Sequence, residues 1–197
     1  KYPIDTSKRM IFSIGRMVYE KGFDLLIEAA LTMRDTHPDV YFIIAGKGPL
    51  LEEYRRKVKE LNLSDTVFFI GYISDDERDA LLLKSEMAVF PSRYEPFGIV
   101  ALEAMAFGKP TIVSNVGGLK GIVKHMETGL VMEPNDERSF IKQATFVLNE
   151  RSLAYKMAQA AREAVKSEYG WHQIAEQTEV VYEGVIASVP NRQKITF

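Results

Sequence analysis

Two carboxylates in this 197-residue sequence stand where they could do chemistry. They are Glu95 and Glu103 in the run Glu95-Pro96-Phe97-Gly98-Ile99-Val100-Ala101-Leu102-Glu103-Ala104. From Phe97 to Phe107 every residue except Glu103 is apolar or glycine. A helix that is apolar all round is a buried helix, and a lone carboxylate within it needs donors to offset its desolvation. Glu103 falls about one and a half turns into that helix, which directs it toward the helix opening. There the backbone N–H groups of Phe97, Gly98 and Ile99 lack intrahelical partners and face an incoming anion or hydroxyl. Glu95, just ahead of the helix, can accept hydrogen bonds from a polyol. In a purely structural alternative Glu95 caps the helix and Glu103 pairs with an arginine or with backbone. The Gly98 turn, the two glutamates and the upstream cations Arg16 and Lys21 together favour a ligand site.

The elements that must position these groups alternate regularly. Short, almost continuously apolar runs at residues 9–14, 40–45, 66–70, 87–90, 110–114 and 129–132 read as strands covered on both faces. Helical patterns lie between them at 23–33, 50–61, 76–84, 99–107 and 118–124. This order predicts an α/β fold, a Rossmann-like, doubly wound parallel sheet of about six strands. After Pro134 the pattern predicts consecutive helices at 136–149, 152–167 and 171–187, with Gly170 breaking the last two and Trp171 anchoring the restart. Residues 1–8 read as an interdomain linker remnant, 9–187 as one domain, and 188–197 as a loosely ordered tail.

In such a sheet ligands bind beyond the carboxyl ends of the strands, where strand order reverses. The residues following the predicted strands are Gly15-Arg16 with Lys21-Gly22, Gly46-Lys47-Gly48-Pro49, Gly71-Tyr72, Pro91 to Glu95, and Asn115 with Gly117-Gly118. Glycines admit close backbone approach and the cations suit phosphate. A dinucleotide fingerprint fails because Gly46-Lys47-Gly48 has no third glycine, and no Gly-x-x-x-x-Gly-Lys-Ser/Thr loop exists. Gly46 to Pro49 is equally well read as a tight turn with Pro49 at the first helical position. Gly117-Gly118 is equally well read as turn geometry. Ser92 lacks a Gly-x-Ser-x-Gly context. His37, His125 and His172 read as surface or turn residues, and Tyr72, Arg93 and Tyr94 either line the cleft or cover the sheet edge.

Bulk composition narrows the class. The chain is 46% hydrophobic and 26% charged, within the ordinary globular range. No run approaches the roughly 18 apolar residues of a membrane span. Cysteine is absent, which excludes a disulfide framework or thiolate metal site and points to a reducing, cytoplasmic setting. A net charge of −2 is too balanced for a nucleic-acid-binding surface, so any bound anion must be held locally.

The motif Glu-Pro-Phe-Gly-x-x-x-x-Glu-Ala at Glu95 and Glu103 resembles the signature of the large group 1 family of retaining glycosyltransferases. That family includes sucrose and mannosyl transferases, and glycogen synthases share a similar version. The resemblance runs in order from Gly15-Arg16 and Lys21-Gly22 through Gly71-Tyr72 to Gly117-Gly118 and Thr128-Gly129. It implies the C-terminal, donor-binding half of a GT-B fold, with extra C-terminal helices. By that likeness Arg16 and Lys21 neutralise the donor diphosphate, Glu103 holds the ribose, and Glu95 contacts the sugar. Phe97, Gly98 and Ile99 meet sugar or phosphate, Tyr72 lies by the base, and Gly117 and Gly118 lie near the donor. It implies a UDP-, GDP- or ADP-sugar as donor substrate, no separate cofactor, and no metal, because the two cations take its place. Further implications are a missing N-terminal acceptor domain as partner and membrane association only through the full-length enzyme. The trailing helix 171–187 resembles the segment that packs on that partner domain. A chain with only this half is expected to bind nucleotide weakly and turn over little. A sugar-nucleotide epimerase would not be expected to carry this glutamate spacing, and a receiver-like binding module would place acids, not Gly15-Arg16, after the first strand.

Overall fold

A computed structural model describes residues 5–188, so residues 1–4 and 189–197, with the expectations for the linker start and the tail, lie outside the described residues. Six strands form one sheet: β1 (Arg9–Ile14), β2 (Val40–Ala45), β3 (Val67–Gly71), β4 (Met87–Phe90), β5 (Thr111–Ser114) and β6 (Leu130–Met132). Their order is β3-β2-β1-β4-β5-β6 and every pairing is parallel. The helices are α1 (Phe23–Met33), α2 (Leu51–Glu60), α3 (Asp75–Lys84), α4 (Ile99–Ala106), α5 (Leu119–Ile122), α6 (Glu137–Asn149), α7 (Arg151–Glu168) and α8 (Trp171–Ser188).

Alternating strand residues feed two cores. Ile11, Phe42 and Ile44 pack on one face with residues of α1, α2 and α6, while Met10, Phe12, Tyr41 and Ile43 pack on the other with α3, α4 and α5. Both faces are covered, which is why β2, β4 and β5 are buried along their whole length. α7 joins the two layers, giving Met157 to the first core and Ala161 to the second. The doubly wound, Rossmann-like α/β fold is therefore as the sequence predicts.

Some local expectations change. α3 begins at Asp75 because Ser74 and Glu77 form a reciprocal capping box. α2 starts at Leu51, so Pro49 stands in the turn before it. The predicted helix at 118–124 shrinks to Leu119–Ile122, since Val123 turns extended and the Lys124 N–H donates to Thr128 Oγ1 at 3.0 Å. Trp171 does not anchor α8: it is 85% exposed, and α8 contributes no buried residue. Among the described residues no helix is long and apolar enough to cross a membrane.

Candidate functional site

Strand order reverses between β1 and β4, so the loops leaving their carboxyl ends flank the switch point. Those loops are stitched together. The N–H groups of Arg93 and Tyr94 both donate to the Glu20 carbonyl, at 2.8 and 3.2 Å. The Arg93 guanidinium forms a two-pronged pair with Asp24 at 2.8 and 2.7 Å, donates to the Tyr19 carbonyl and to Asn135 Oδ1, and lies 4.2 Å from the Tyr19 ring centroid. Burial pushes the Asp24 carboxyl up, but the Arg93 hydrogen bonds and charge outweigh it and hold the carboxyl below its ordinary range. Arg93 is thus a clamp between loops and is not among the residues lining the cleft, a role that neither of the two readings of its sequence position described.

Within that frame the Lys21 ammonium donates to Glu95 Oε2 across the switch point. The side chains are only 19% and 10% exposed, so the pair is largely withdrawn from water. Arg16, one loop turn upstream, is exposed and makes no side-chain hydrogen bond or ion pair among the described residues. Both cations and Glu95 line a cleft of about 530 Å³, walled on its other side by the backbone and side chains from Pro96 to Val100. This wall is the start of α4, where Gly98 at φ 107° is the N-cap residue and no side chain caps the helix. The capping role for Glu95 is therefore ruled out, and the start of α4, its first N–H groups uncapped by any side chain, borders the cleft.

The α4 helix is not buried all round. Only Ala101, Ala104 and Met105 are buried, whereas Phe97 is 51% and Ile99 61% exposed. The reason is placement: the helix starts at the sheet rim, so its first apolar residues line the cleft, and only the next turn sinks under α7 and the strands.

Of the residues singled out from sequence, Arg16, Lys21, Glu95, Phe97, Gly98 and Ile99 come together here. Glu103 is not among the residues lining this cleft; it turns toward α3, where its Oε1 accepts from Arg78 at 3.0 Å, the arginine pairing of the structural alternative. Tyr72 stands 68% exposed beyond β3, with the Lys47 ammonium 4.7 Å from its ring centroid. Gly117 and Gly118 brace the Glu95 segment from behind. Gly118 N–H donates to the Glu95 carbonyl at 2.9 Å, and a Cβ on Gly117, at φ 46°, would fall 2.0 Å from that same oxygen. The histidines stay outside the cleft lining, His125 accepting from the Val131 N–H.

Sequence reasoning missed Glu20 and Val18, which also line the cleft, and Arg78. Only one signal pointed to Arg78: a half-buried Glu103 needs a donor, but spacing alone could not say which arginine supplies it.

A family profile described as "Glycosyl transferases group 1" matches residues 1–164. Glycogen synthase from Mycobacterium tuberculosis is 36% identical over 177 residues, covering 90% of this chain and 43% of that protein. Sucrose-phosphate synthase from Thermosynechococcus elongatus superposes with a TM-score of 0.81 at 32% identity, over 94% of this chain and 47% of the other. TarM from S. aureus, crystallised as a mutant with fondaparinux, alpha-GlcNAc-glycerol and UDP, superposes with a TM-score of 0.82 at 25% identity over 89% of this chain and 36% of the other. The chain thus spans less than half the length of these relatives.

Proposed function

This chain belongs to the group 1 glycosyl transferases, and from that premise we propose that its cleft grips a nucleoside-diphosphate sugar for transfer of the sugar to an acceptor with retention of anomeric configuration. The observation that carries the reading is the Lys21–Glu95 pair at the switch point, beside the exposed Arg16 and the uncapped start of α4. A leaving diphosphate accumulates negative charge, which fixed cations and oriented N–H groups stabilise as the glycosidic bond breaks. The Lys21 ammonium has three donors. One is held by Glu95, which leaves two for a diphosphate oxygen. Glu95 then keeps acceptor capacity for sugar hydroxyls. Arg16, which has no side-chain partner to surrender among the described residues, supplies the second cation. No divalent metal is needed in this arrangement. The UDP named with the TarM relative supports a nucleoside diphosphate as the ligand class. Identity to a glycogen synthase supports glucosyl transfer as a subtype of the same reading.

On this reading Glu103 accepts from the ribose diol and Tyr72 borders the base. The acceptor site and the opposite wall of the cleft belong to an N-terminal domain of the complete enzyme, so this chain alone binds nucleotide with little turnover. Calorimetric titration with UDP, GDP and ADP tests the reading. At least one is expected to bind, with Arg16→Ala and Glu103→Ala each weakening it roughly tenfold or more, the scale of one hydrogen bond to a charged group. Absence of binding by all three, or binding untouched by both substitutions, would overturn the assignment. On the complete enzyme, the anomer of the product decides retention.

A further inference from the structure

The Glu103 carboxylate is held by one oxygen only. Its Oε1 accepts from Arg78 Nη1 at 3.0 Å, whereas Oε2 has no partner among the described residues. Arg78 in turn is a shared hub: it also pairs with Asp75 at 3.1 Å and Asp79 at 2.9 Å, and its side chain is 20% exposed. Asp75 and Asp79 are its neighbours on α3, and Glu103 is the one partner on a different helix. The guanidinium therefore ties the α4 carboxylate to the start of α3, the element that follows the carboxyl end of β3.

We propose that Arg78 is the positioning residue for donor binding, holding Glu103 by Oε1 so that Oε2 stays presented to the ribose diol; the inference rests on the donor-binding reading of Glu103. Two observations support it beyond the contact itself. First, the fork is rigid and always charged, so a guanidinium anchored by two neighbouring aspartates leaves Glu103 little freedom to swing away. Second, the environment without Arg78 is hostile to a carboxylate. Burial pushes the Glu103 carboxyl above its ordinary range, Arg78 opposes this, and Asp75 and Asp79 push the same way as burial. Arg78 is thus what favours the charged form, the better acceptor for hydroxyls.

The test separates a ribose-specific role from a general one. The 197-residue chain is titrated with whichever of UDP, GDP and ADP binds best, and with its 2′,3′-dideoxy analogue. Wild type is expected to prefer the diol by roughly tenfold. Arg78→Met should cut affinity for the diol by about the same factor while leaving the dideoxy analogue unchanged, and Arg78→Lys, a point charge without the fork, should fall between. Unfolding midpoints of each variant are measured alongside; if Arg78→Met does not fold, Arg78→Lys alone decides by its diol preference. Equal weakening of both ligands, or no weakening of either, overturns the inference. Glu103→Gln separates the two levels. If it retains the diol preference, the ribose assignment fails and takes Arg78 with it. If it loses the preference while Arg78→Met and Arg78→Lys keep theirs, only the inference about Arg78 fails.

Discussion

Lys21 and Glu95 can be separated by substitution because their pairing is withdrawn from water on both sides. Removing one partner strands a charge, and breaking such a pair costs about 3–5 kcal/mol when burial is complete. Lys21 keeps a fifth of its side-chain exposure, so Lys21→Met should cost about 3 kcal/mol, the lower end of that range. The double variant Lys21→Met with Glu95→Gln should be more stable than the single one, because no charge is left unpaired. Urea unfolding of the four proteins gives the cycle, and purely additive losses would show that the pair is not coupled. Asp24 and Arg93 respond to pH instead. The folded Asp24 carboxyl titrates below its ordinary 3.8, so its contribution is present above that value and is lost as pH falls through the folded one. Stability of wild type over Asp24→Asn should be clear near about pH 7 and shrink as pH falls below 3.8 and on through the lower folded value. A gap that stays constant would assign the difference to packing.

At the scale of elements, the loop after β5 holds the loop after β4 in place. Gly117→Ala sets a methyl 2.0 Å from the Glu95 carbonyl oxygen at a positive φ, and Gly118→Ala sets one 2.4 Å from the Phe97 carbonyl oxygen. Neither backbone can yield without shifting the cleft wall. Both variants should lose about 1–3 kcal/mol and weaken nucleotide binding together with stability. Gly121→Ala is the control: its Cβ meets nothing within 4 Å, in a helix where φ is ordinary, so it should be neutral or stabilising by up to about 1 kcal/mol. Thermal unfolding with nucleotide titration checks all three. These glycines also mark where sequence becomes illegible. The strands and most helices follow from runs such as Val40–Ala45, because a segment covered on both faces must be apolar throughout. The cluster of Arg16, Lys21 and Glu95 follows too, since the topology puts β1 and β4 side by side. The pairing of Arg78 with Glu103 does not follow, because it depends on how α3 and α4 are rotated against each other. Nor does the exposure of Phe97 and Ile99, because an apolar run does not reveal which of its turns stands at a rim.

The molecule as a whole divides into a part that is self-sufficient and a part that is not. The sheet and α1 to α7 bury most of their apolar residues in the two cores, so the cleft has a packed base within this chain. α8 behaves differently: Trp171, Val180, Val181, Tyr182, Val185 and Ile186 are each more than half exposed. Apolar side chains exposed together along one helix suit an interaction surface, and on the proposed reading its occupant is the acceptor-side domain of the full enzyme. Within this chain, then, those side chains belong to neither core. Val181→Glu, Val185→Glu and Ile186→Glu combined should leave the unfolding free energy within about 0.5 kcal/mol per site of wild type and nucleotide affinity unchanged. In the complete enzyme the same three changes should lower transfer rate or stability, since they would bury carboxylates in an interface. Loss of stability in the isolated chain would show instead that α8 packs on the sheet domain, and unchanged behaviour of the full enzyme would remove α8 from the domain interface.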